Sequence, residues 1–129
     1  MSEYKTIDTY LEKNLDKSLE ELGKLVAQPS ISAQGIGLKE CASLVADMLR
    51  ARGFTAEIMD TQGAPVVFAE RKGKSGRTLL FYNHYDVQPP EPLELWESPP
   101  FEPVIRDGKM YGRGISDDKG HITSRLHAI

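Results

Sequence analysis

The chain has 129 residues and a formal net charge of −3, with 40% hydrophobic and 27% charged residues. These values fit one globular domain with a single core, and they exclude the basic excess typical of proteins that bind nucleic acid or anionic lipid. The single cysteine, Cys41, excludes an intrachain disulfide framework. Because no signal peptide or long apolar run is recognisable, we expect a cytoplasmic protein with neither nucleic acid nor membrane as a partner.

The N-terminal part of the chain predicts two amphipathic helices. Apolar residues at helical spacing predict the first helix from Ile7 to Ala27, and Pro29 ends it. A second periodic stretch predicts a helix from Leu38 to Arg52, with Gly53 as its C-terminal cap. Cys41 lies on the apolar stripe of this second helix, so we expect a buried thiol in the core.

Three short runs rich in Val, Ile, Phe and Tyr predict strands; they are Phe54–Met59, Pro65–Glu70 and Arg77–Asn83. Within the third run, Thr78–Tyr82 is apolar on nearly every residue, which predicts a central strand that is buried on both faces. A central strand of this kind is typical of an α/β sheet, so we expect an α/β fold.

The remaining chain predicts a stiff loop, a hairpin and a helix. Val87–Pro103 contains six of the eight prolines, so we expect neither helix nor central strand there. Trp96 is expected to anchor this loop, with a substrate-lining role as the alternative. Val104–Met110 predicts a hairpin that turns at Asp107-Gly108, and a final helix is predicted from Lys119 onward.

His84 and Asp86 come directly after the third predicted strand, where ligand and metal sites collect in α/β sheets. In an extended backbone their side chains lie on the same side. Asp86 can therefore accept a hydrogen bond from one imidazole nitrogen of His84 while the other nitrogen faces a cation. The alternative is a histidine whose hydrogen bonds are satisfied at a strand end.

The second candidate group, Asp117 and Asp118, lies in a glycine-rich run at the start of the final helix. Because a carboxylate has two oxygens, one of these aspartates can bridge two divalent cations, as in two-metal hydrolase sites. The alternative is that the pair caps the helix, a role that needs no metal.

Four features follow one another in the second half of the chain: Phe81–Pro89, Trp96, Pro99–Phe101 and Tyr111–Gly120. Together they resemble the di-zinc metallopeptidase family of dipeptidases, aminoacylases and carboxypeptidases, which includes acetylornithine deacetylase and succinyl-diaminopimelate desuccinylase. The similarity is greatest to the carnosine-dipeptidase-like branch, with its motifs H-x-D-V-Q-P and G-R-G-x-x-D-D-K-G. Pro29–Ser32 is similar to the family's exit from its first helix.

The resemblance implies a three-layer α/β domain with a central mixed sheet flanked by helices. It implies that His84 is a terminal ligand to one zinc ion, that Asp117 bridges two zinc ions, and that Asp86 is a catalytic residue that orients and polarises His84. Asp118 is then not a ligand, and the peptide bond between Asp117 and Asp118 is expected to be cis. Asn83 stands where much of the wider family has glycine; asparagine also tolerates left-handed backbone angles.

The family's remaining ligands and its catalytic glutamate are expected on segments that this chain does not contain. Glu20-Glu21 is the only Glu-Glu pair, and on the first helix we expect it to form a solvated face. Residues 1–129 are therefore expected to be the N-terminal part of a catalytic domain, ending inside a helix. The rest of that domain and an inserted dimerisation domain are expected to be absent.

For a longer parent enzyme, the resemblance implies zinc-dependent hydrolysis of an amide or peptide bond in dipeptides or N-acyl amino acids. It implies two zinc ions, with manganese or cobalt as other options, and a homodimer. The isolated chain is expected to be inactive. The alternative is a catalytically silent α/β module that folds or associates without metal.

Other motifs predict no chemistry of their own. Ser116 lacks the second glycine and the preceding strand of a serine-hydrolase elbow, and Gly73-Lys74-Ser75 lacks the glycine cradle of a phosphate loop. His121 and His127 are six residues apart, the wrong spacing for one ligand face of a helix, so we expect structural roles for both.

Overall fold

Helix α1 spans Lys5–Ala27 in the computed structural model, which describes residues 4–129. Its last turns carry Leu25 and Val26, which are fully buried, whereas Ile7 and Leu11 near its start are more than half exposed. The first predicted helix is therefore confirmed, and it is the C-terminal part of its apolar stripe that enters the core.

Helix α2 spans Leu38–Arg50 and helix α3 spans Lys119–Ala128. The second predicted helix is confirmed, although it ends two residues before Arg52, and Gly53 has the positive φ of 79° expected of a residue that stops a helix. The three helices meet in one core, which is made by Leu25, Cys41, Val45, Met48, Ile122 and Leu126. The expected burial of Cys41 is confirmed.

Two small antiparallel sheets complete the fold. Strands β1 (Thr55–Met59) and β2 (Val66–Glu70) pair with Thr55 opposite Glu70, while β3 (Val104–Arg106) and β4 (Lys109–Tyr111) form the predicted hairpin. Asp107 and Gly108 have φ values of 50° and 72°, and positive φ at both turn residues matches the twist of the flanking strands. The mixed α/β class is confirmed.

The third predicted strand, Arg77–Asn83, is wrong as a buried strand. Among residues 4–129 it pairs with no neighbouring strand, and Leu79 and Leu80 are 82% and 89% exposed. A central strand is buried only when other strands pair with both of its edges and other elements cover both of its faces. The apolar pattern is present, but the described residues do not supply those neighbours.

The chain around Asp86 is held against the residues that follow α1. The Val87 amide donates to the Ser30 carbonyl at 2.8 Å, and the Ser30 hydroxyl donates to the Tyr85 carbonyl at 2.6 Å. Ile31 and Val87 also form a parallel bridge. These contacts bring the end of α1 beside the first candidate motif.

Lys119, the first residue of α3, is fully buried and donates from Nζ to the Gln28 carbonyl at 2.6 Å. Burial lowers the pKa of this lysine, because the charged form loses its hydration. A cation at the C-terminal end of α1 also interacts favourably with the helix dipole. Lys119 thereby joins the start of α3 to the end of α1.

The prediction that Glu20 and Glu21 form a solvated face is confirmed for Glu20 and wrong for Glu21. Glu20 is exposed and pairs with Lys24, but Glu21 lies between helices, where Nη1 and Nη2 of Arg52 donate to its carboxylate at 2.8 and 2.6 Å. His127 on α3 contacts the same carboxylate. Neighbouring residues on a helix point about 100° apart, so one faces solvent while the next faces a partner helix. This junction joins α1, the residues after α2, and α3.

Of the helices in the described part of the chain, none combines the length and apolar character that a membrane span requires.

Candidate active site

The two candidate motifs meet in space. The Nε2 atom of His84 lies 2.9 Å from Oδ1 of Asp117, although the two residues are 33 positions apart in the sequence. The side chain of His84 is 39% exposed and that of Asp117 is 81% exposed, so both are open to solvent. The structure therefore brings together the imidazole and the carboxylate that the sequence singled out.

Asp86 holds the opposite side of the His84 ring. Its Oδ1 atom lies 3.1 Å from His84 Nδ1, and its backbone carbonyl lies 3.2 Å from the same nitrogen. The Ser32 hydroxyl donates to the second carboxylate oxygen, Oδ2, at 2.6 Å. A carboxylate placed in this way favours a proton on Nδ1 and leaves Nε2 as the nitrogen that can bind a cation.

Three carboxylates surround His84 and change its protonation equilibrium. Burial disfavours the charged imidazolium, but the Asp86 carbonyl and the negative charges of Asp86, Asp117 and Asp118 outweigh that effect and raise the pKa of His84. A site of this charge attracts cations in general, and a metal ion bound there competes with the proton for Nε2.

Asp118 contacts the backbone of His84 instead of its imidazole nitrogens. Its Oδ2 atom accepts hydrogen bonds from Asn83 Nδ2 at 2.7 Å and from the His84 backbone amide at 3.1 Å, while Oδ1 contacts Nδ1 of His121 at 2.7 Å. Burial favours the neutral acid, but these hydrogen bonds outweigh it and lower the pKa of Asp118. This carboxylate positions backbone and side chains, and the expectation that it is not a ligand stays a prediction. The predicted cis peptide bond between Asp117 and Asp118 is confirmed.

An open hollow of about 210 Å³ lies in front of the His84–Asp117 pair. Its walls include His84, Asp86, Val87, Arg113, Gly114 and Asp117. Gly114 has φ of 89°, and a Cβ atom there would lie 2.7 Å from Val87 Cγ1, so a side chain at this position is disfavoured both by backbone and by space. The glycine-rich run therefore lets the second motif approach the first closely.

The proline-rich loop packs beside this hollow through Trp96. The indole Nε1 donates to the Pro90 carbonyl at 2.8 Å, and the guanidinium of Arg113 lies 5.3 Å from the indole ring centre. Arg113 also donates to the Pro89 carbonyl at 3.2 Å. These contacts support the predicted anchoring role of Trp96.

Three site residues were missed by the sequence reasoning. Ser32 contacts Asp86, Asn83 contacts Asp118, and Arg125 donates to the Asn83 side chain at 2.7 Å. The similarity of Pro29–Ser32 to the family's first helix exit was a signal for Ser32, but its contact lies 54 positions away. Nothing in the spacing of Asn83 or Arg125 indicated their contacts.

The donor set matches a zinc site in type but not in number. Imidazole nitrogen and carboxylate oxygen are ordinary zinc ligands, and both are turned toward the same hollow. In residues 4–129, however, no group of three or more His, Cys, Asp or Glu side chains converges as a metal cluster. His84 and Asp117 therefore fit as part of a metal site, and their roles as ligands stay a prediction.

Comparison with known proteins finds matches in sequence and in structure. Residues 80–129 match peptidase family M20/M25/M40. The chain is 40% identical over 106 residues to a succinyl-diaminopimelate desuccinylase of Azoarcus sp. (strain BH72), a match that covers 82% of this chain and 27% of that protein. The fold superposes on an M20 family metallo-carboxypeptidase from Sulfolobus solfataricus with a TM-score of 0.84 and 42% identity, covering 87% of this chain and 26% of that one.

Human carnosine dipeptidase 1 is a second structural neighbour, with a TM-score of 0.86 and 28% identity over 99% of this chain and 30% of that one. By fold and by sequence, this chain is therefore similar to M20 family metallopeptidases and to a desuccinylase. The match of residues 80–129 to peptidase family M20/M25/M40 confirms the resemblance found in the sequence. The chain spans less than a third of the length of each of these relatives.

Proposed function

We propose that this chain supplies part of the active site of a metal-dependent hydrolase that cleaves an amide or peptide bond in dipeptides or N-acyl amino acids. The observation that carries the proposal is the 2.9 Å approach of His84 Nε2 to Asp117 Oδ1 beside the open hollow. The match of residues 80–129 to peptidase family M20/M25/M40 supports the reaction class, and the names of the desuccinylase and dipeptidase relatives support the substrate class.

In this proposal His84 and Asp117 hold metal, with Asp117 shared by two zinc ions, and Asp86 orients the His84 ring. When bound, zinc, or manganese or cobalt in its place, would supply Lewis-acid polarisation of the scissile carbonyl and a lower pKa for water at the site. The contribution of this chain is positional: Asp86 keeps the proton on His84 Nδ1, and the exposed carboxylate of Asp117 stays available to cations.

The proposal extends to the whole protein. Residues 1–129 form the N-terminal part of the catalytic domain, and the remaining ligands, the glutamate that accepts the proton of water, and a dimerisation domain lie on further chain. The match to between 26% and 30% of the length of longer relatives supports this organisation. We further propose a cytoplasmic homodimer.

Metal analysis of the purified chain tests the site. We expect bound zinc in the wild type and its loss in His84→Ala, because the one donor that remains cannot hold the ion. His127→Ala is the control, since it removes an imidazole that contacts Glu21 instead of the hollow. Zinc retained by His84→Ala would contradict the assignment. In the longer protein, hydrolysis of dipeptides that survives full removal of metal by a chelator would contradict the reaction class.

A second candidate, a silent module that folds without metal, is favoured by one observation: the described residues bring only two candidate donors together. Absence of zinc from the wild-type chain, with an unchanged thermal transition on adding zinc, would support this candidate.

A further inference from the structure

Asn83 connects the two motifs through its side chain. Its Nδ2 donates to Asp118 Oδ2 at 2.7 Å, and its Oδ1 accepts a hydrogen bond from Arg125 Nη1 at 2.7 Å. Arg125 belongs to helix α3, and the same Nη1 atom donates to the Tyr82 carbonyl at 2.7 Å. Asn83 is thus fixed at both ends of its amide, which determines which end faces Asp118.

The backbone conformation does not explain why residue 83 is an asparagine. Among residues 4–129 the one non-glycine residue with positive φ is Asp107, so Asn83 does not adopt the left-handed conformation for which asparagine is favoured. Its side chain, with two partners of opposite hydrogen-bonding character, is the feature that distinguishes it from glycine or alanine at this position.

The contacts of Asp118 show what this arrangement controls. Oδ2 of Asp118 accepts hydrogen bonds from Asn83 Nδ2 and from the backbone amide of His84. This one oxygen therefore holds both the Asn83 side chain and the backbone of His84. Asp117 directly precedes Asp118 in the chain. Holding the Asp118 carboxylate therefore also holds the backbone that carries Asp117 relative to the backbone that carries His84.

We propose that Asn83 is a positioning residue that sets the separation of His84 and Asp117 by fastening Asp118, with Arg125 fixing the orientation of its amide. The inference rests on the proposed metal-binding role of His84 and Asp117. Asn83 itself is not a ligand, because both ends of its amide are occupied by protein groups.

Asn83→Asp gives the sharpest test, because the two side chains have nearly the same shape. The substituted side chain keeps an acceptor for Arg125 but places a second carboxylate where an amide donated to Asp118 at 2.7 Å. The added negative charge by itself would tighten cation binding, whereas a displaced Asp117 weakens it. The two explanations therefore predict effects of opposite sign.

The probe is zinc alone, titrated into the full 129-residue chain in competition with a chromophoric chelator. We expect Asn83→Asp and Asn83→Ala to weaken zinc binding about 10- to 100-fold, the range typical of residues that orient metal ligands. Asn14→Asp is the matched control: it makes the same change on helix α1, where Asn14 Nδ2 donates to the Tyr10 carbonyl. It should leave zinc affinity unchanged.

Unchanged or tighter binding in both Asn83 variants would overturn the inference. Circular dichroism shows whether each variant folds. If Asn83→Asp does not fold, Asn83→Ala, which adds no charge, provides the test. If the wild type binds no zinc, the proposed site fails in this chain, and metal-free crystal structures decide the inference separately. In Asn83→Asp the 2.9 Å separation of His84 Nε2 and Asp117 Oδ1 should then lengthen, and its retention would refute the positioning role.

Discussion

Glu21→Gln should destabilise the frame that carries the site. Glu21 accepts two hydrogen bonds from Arg52, at 2.8 and 2.6 Å, and contacts His127, so this one carboxylate joins α1, the residues after α2, and α3. Hydrogen bonds to charged groups contribute about 1.5 to 3 kcal/mol each. The Glu21 and Arg52 side chains are still 22% and 18% exposed, which reduces the effect, and glutamine keeps one acceptor.

We therefore expect Glu21→Gln to lower the free energy of unfolding at pH 7 by about 1 to 3 kcal/mol. For a chain of this size that corresponds to a fall in Tm of roughly 3 to 5 °C per kcal/mol, measured by circular dichroism with parallel urea unfolding. Glu20→Gln is the matched control on the neighbouring residue. Glu20 and its partner Lys24 are both about two-thirds exposed, so its loss should change little.

The pH dependence of the stability difference shows whether Glu21 stabilises the fold through its charge or through packing. The Arg52 hydrogen bond, opposed by burial and aided by the charges of Arg52 and His127, lowers the pKa of Glu21 from its ordinary value of 4.5. A carboxyl group of this kind stabilises the fold fully above the pKa of the unfolded chain, and that stabilisation is lost as pH falls through the lower pKa of the folded chain. The difference between wild type and Glu21→Gln should therefore shrink in acid. An equal loss of stability in Glu20→Gln and Glu21→Gln, or a deficit that is the same in acid, would refute the reasoning.

Two further predictions concern the site. Gly114→Ala should lower the free energy of unfolding by about 1 to 3 kcal/mol, because its φ is 89° and its new Cβ would lie 2.7 Å from Val87 Cγ1. Gly73→Ala, with nothing within 4 Å, is the control, and equal thermal stability of the two variants would contradict the strain. Ser32→Ala should weaken zinc binding about 10-fold without lowering Tm, because the exposed hydroxyl donates to Asp86. Competition with a chelator measures the zinc affinity, and Ser32→Thr should restore it.

The agreement between sequence and structure is best where the determining interactions are local. Helix periodicity located α1, α2 and α3 within a few residues, and Asp107-Gly108 located the hairpin turn, because a two-residue turn depends on the φ values that its own residues tolerate. The motif resemblance also predicted the match to peptidase family M20/M25/M40, and it identified the residues that meet at the hollow, His84, Asp86 and Asp117.

The sequence-based prediction and the structure disagree where burial depends on segments that are distant along the chain. The apolar run at 77–83 predicted a covered strand, but a strand is covered only if other segments pair with it and pack on it. Glu21 and its neighbour Glu20 look alike in the sequence, and the helices that α1 meets decide that one is exposed and the other forms the junction with Arg52 and His127.

The sequence by itself determined the helices, one hairpin and the pair of motifs that carry the family resemblance, since periodicity, turn chemistry and motif spacing are properties of neighbouring residues. Only the tertiary structure decided that Asn83, Ser32 and Arg125 support the site, because their partners lie between 35 and 54 positions away along the chain. Hydrogen bonds over such separations form only when packed helices bring the segments together, and no local pattern encodes them.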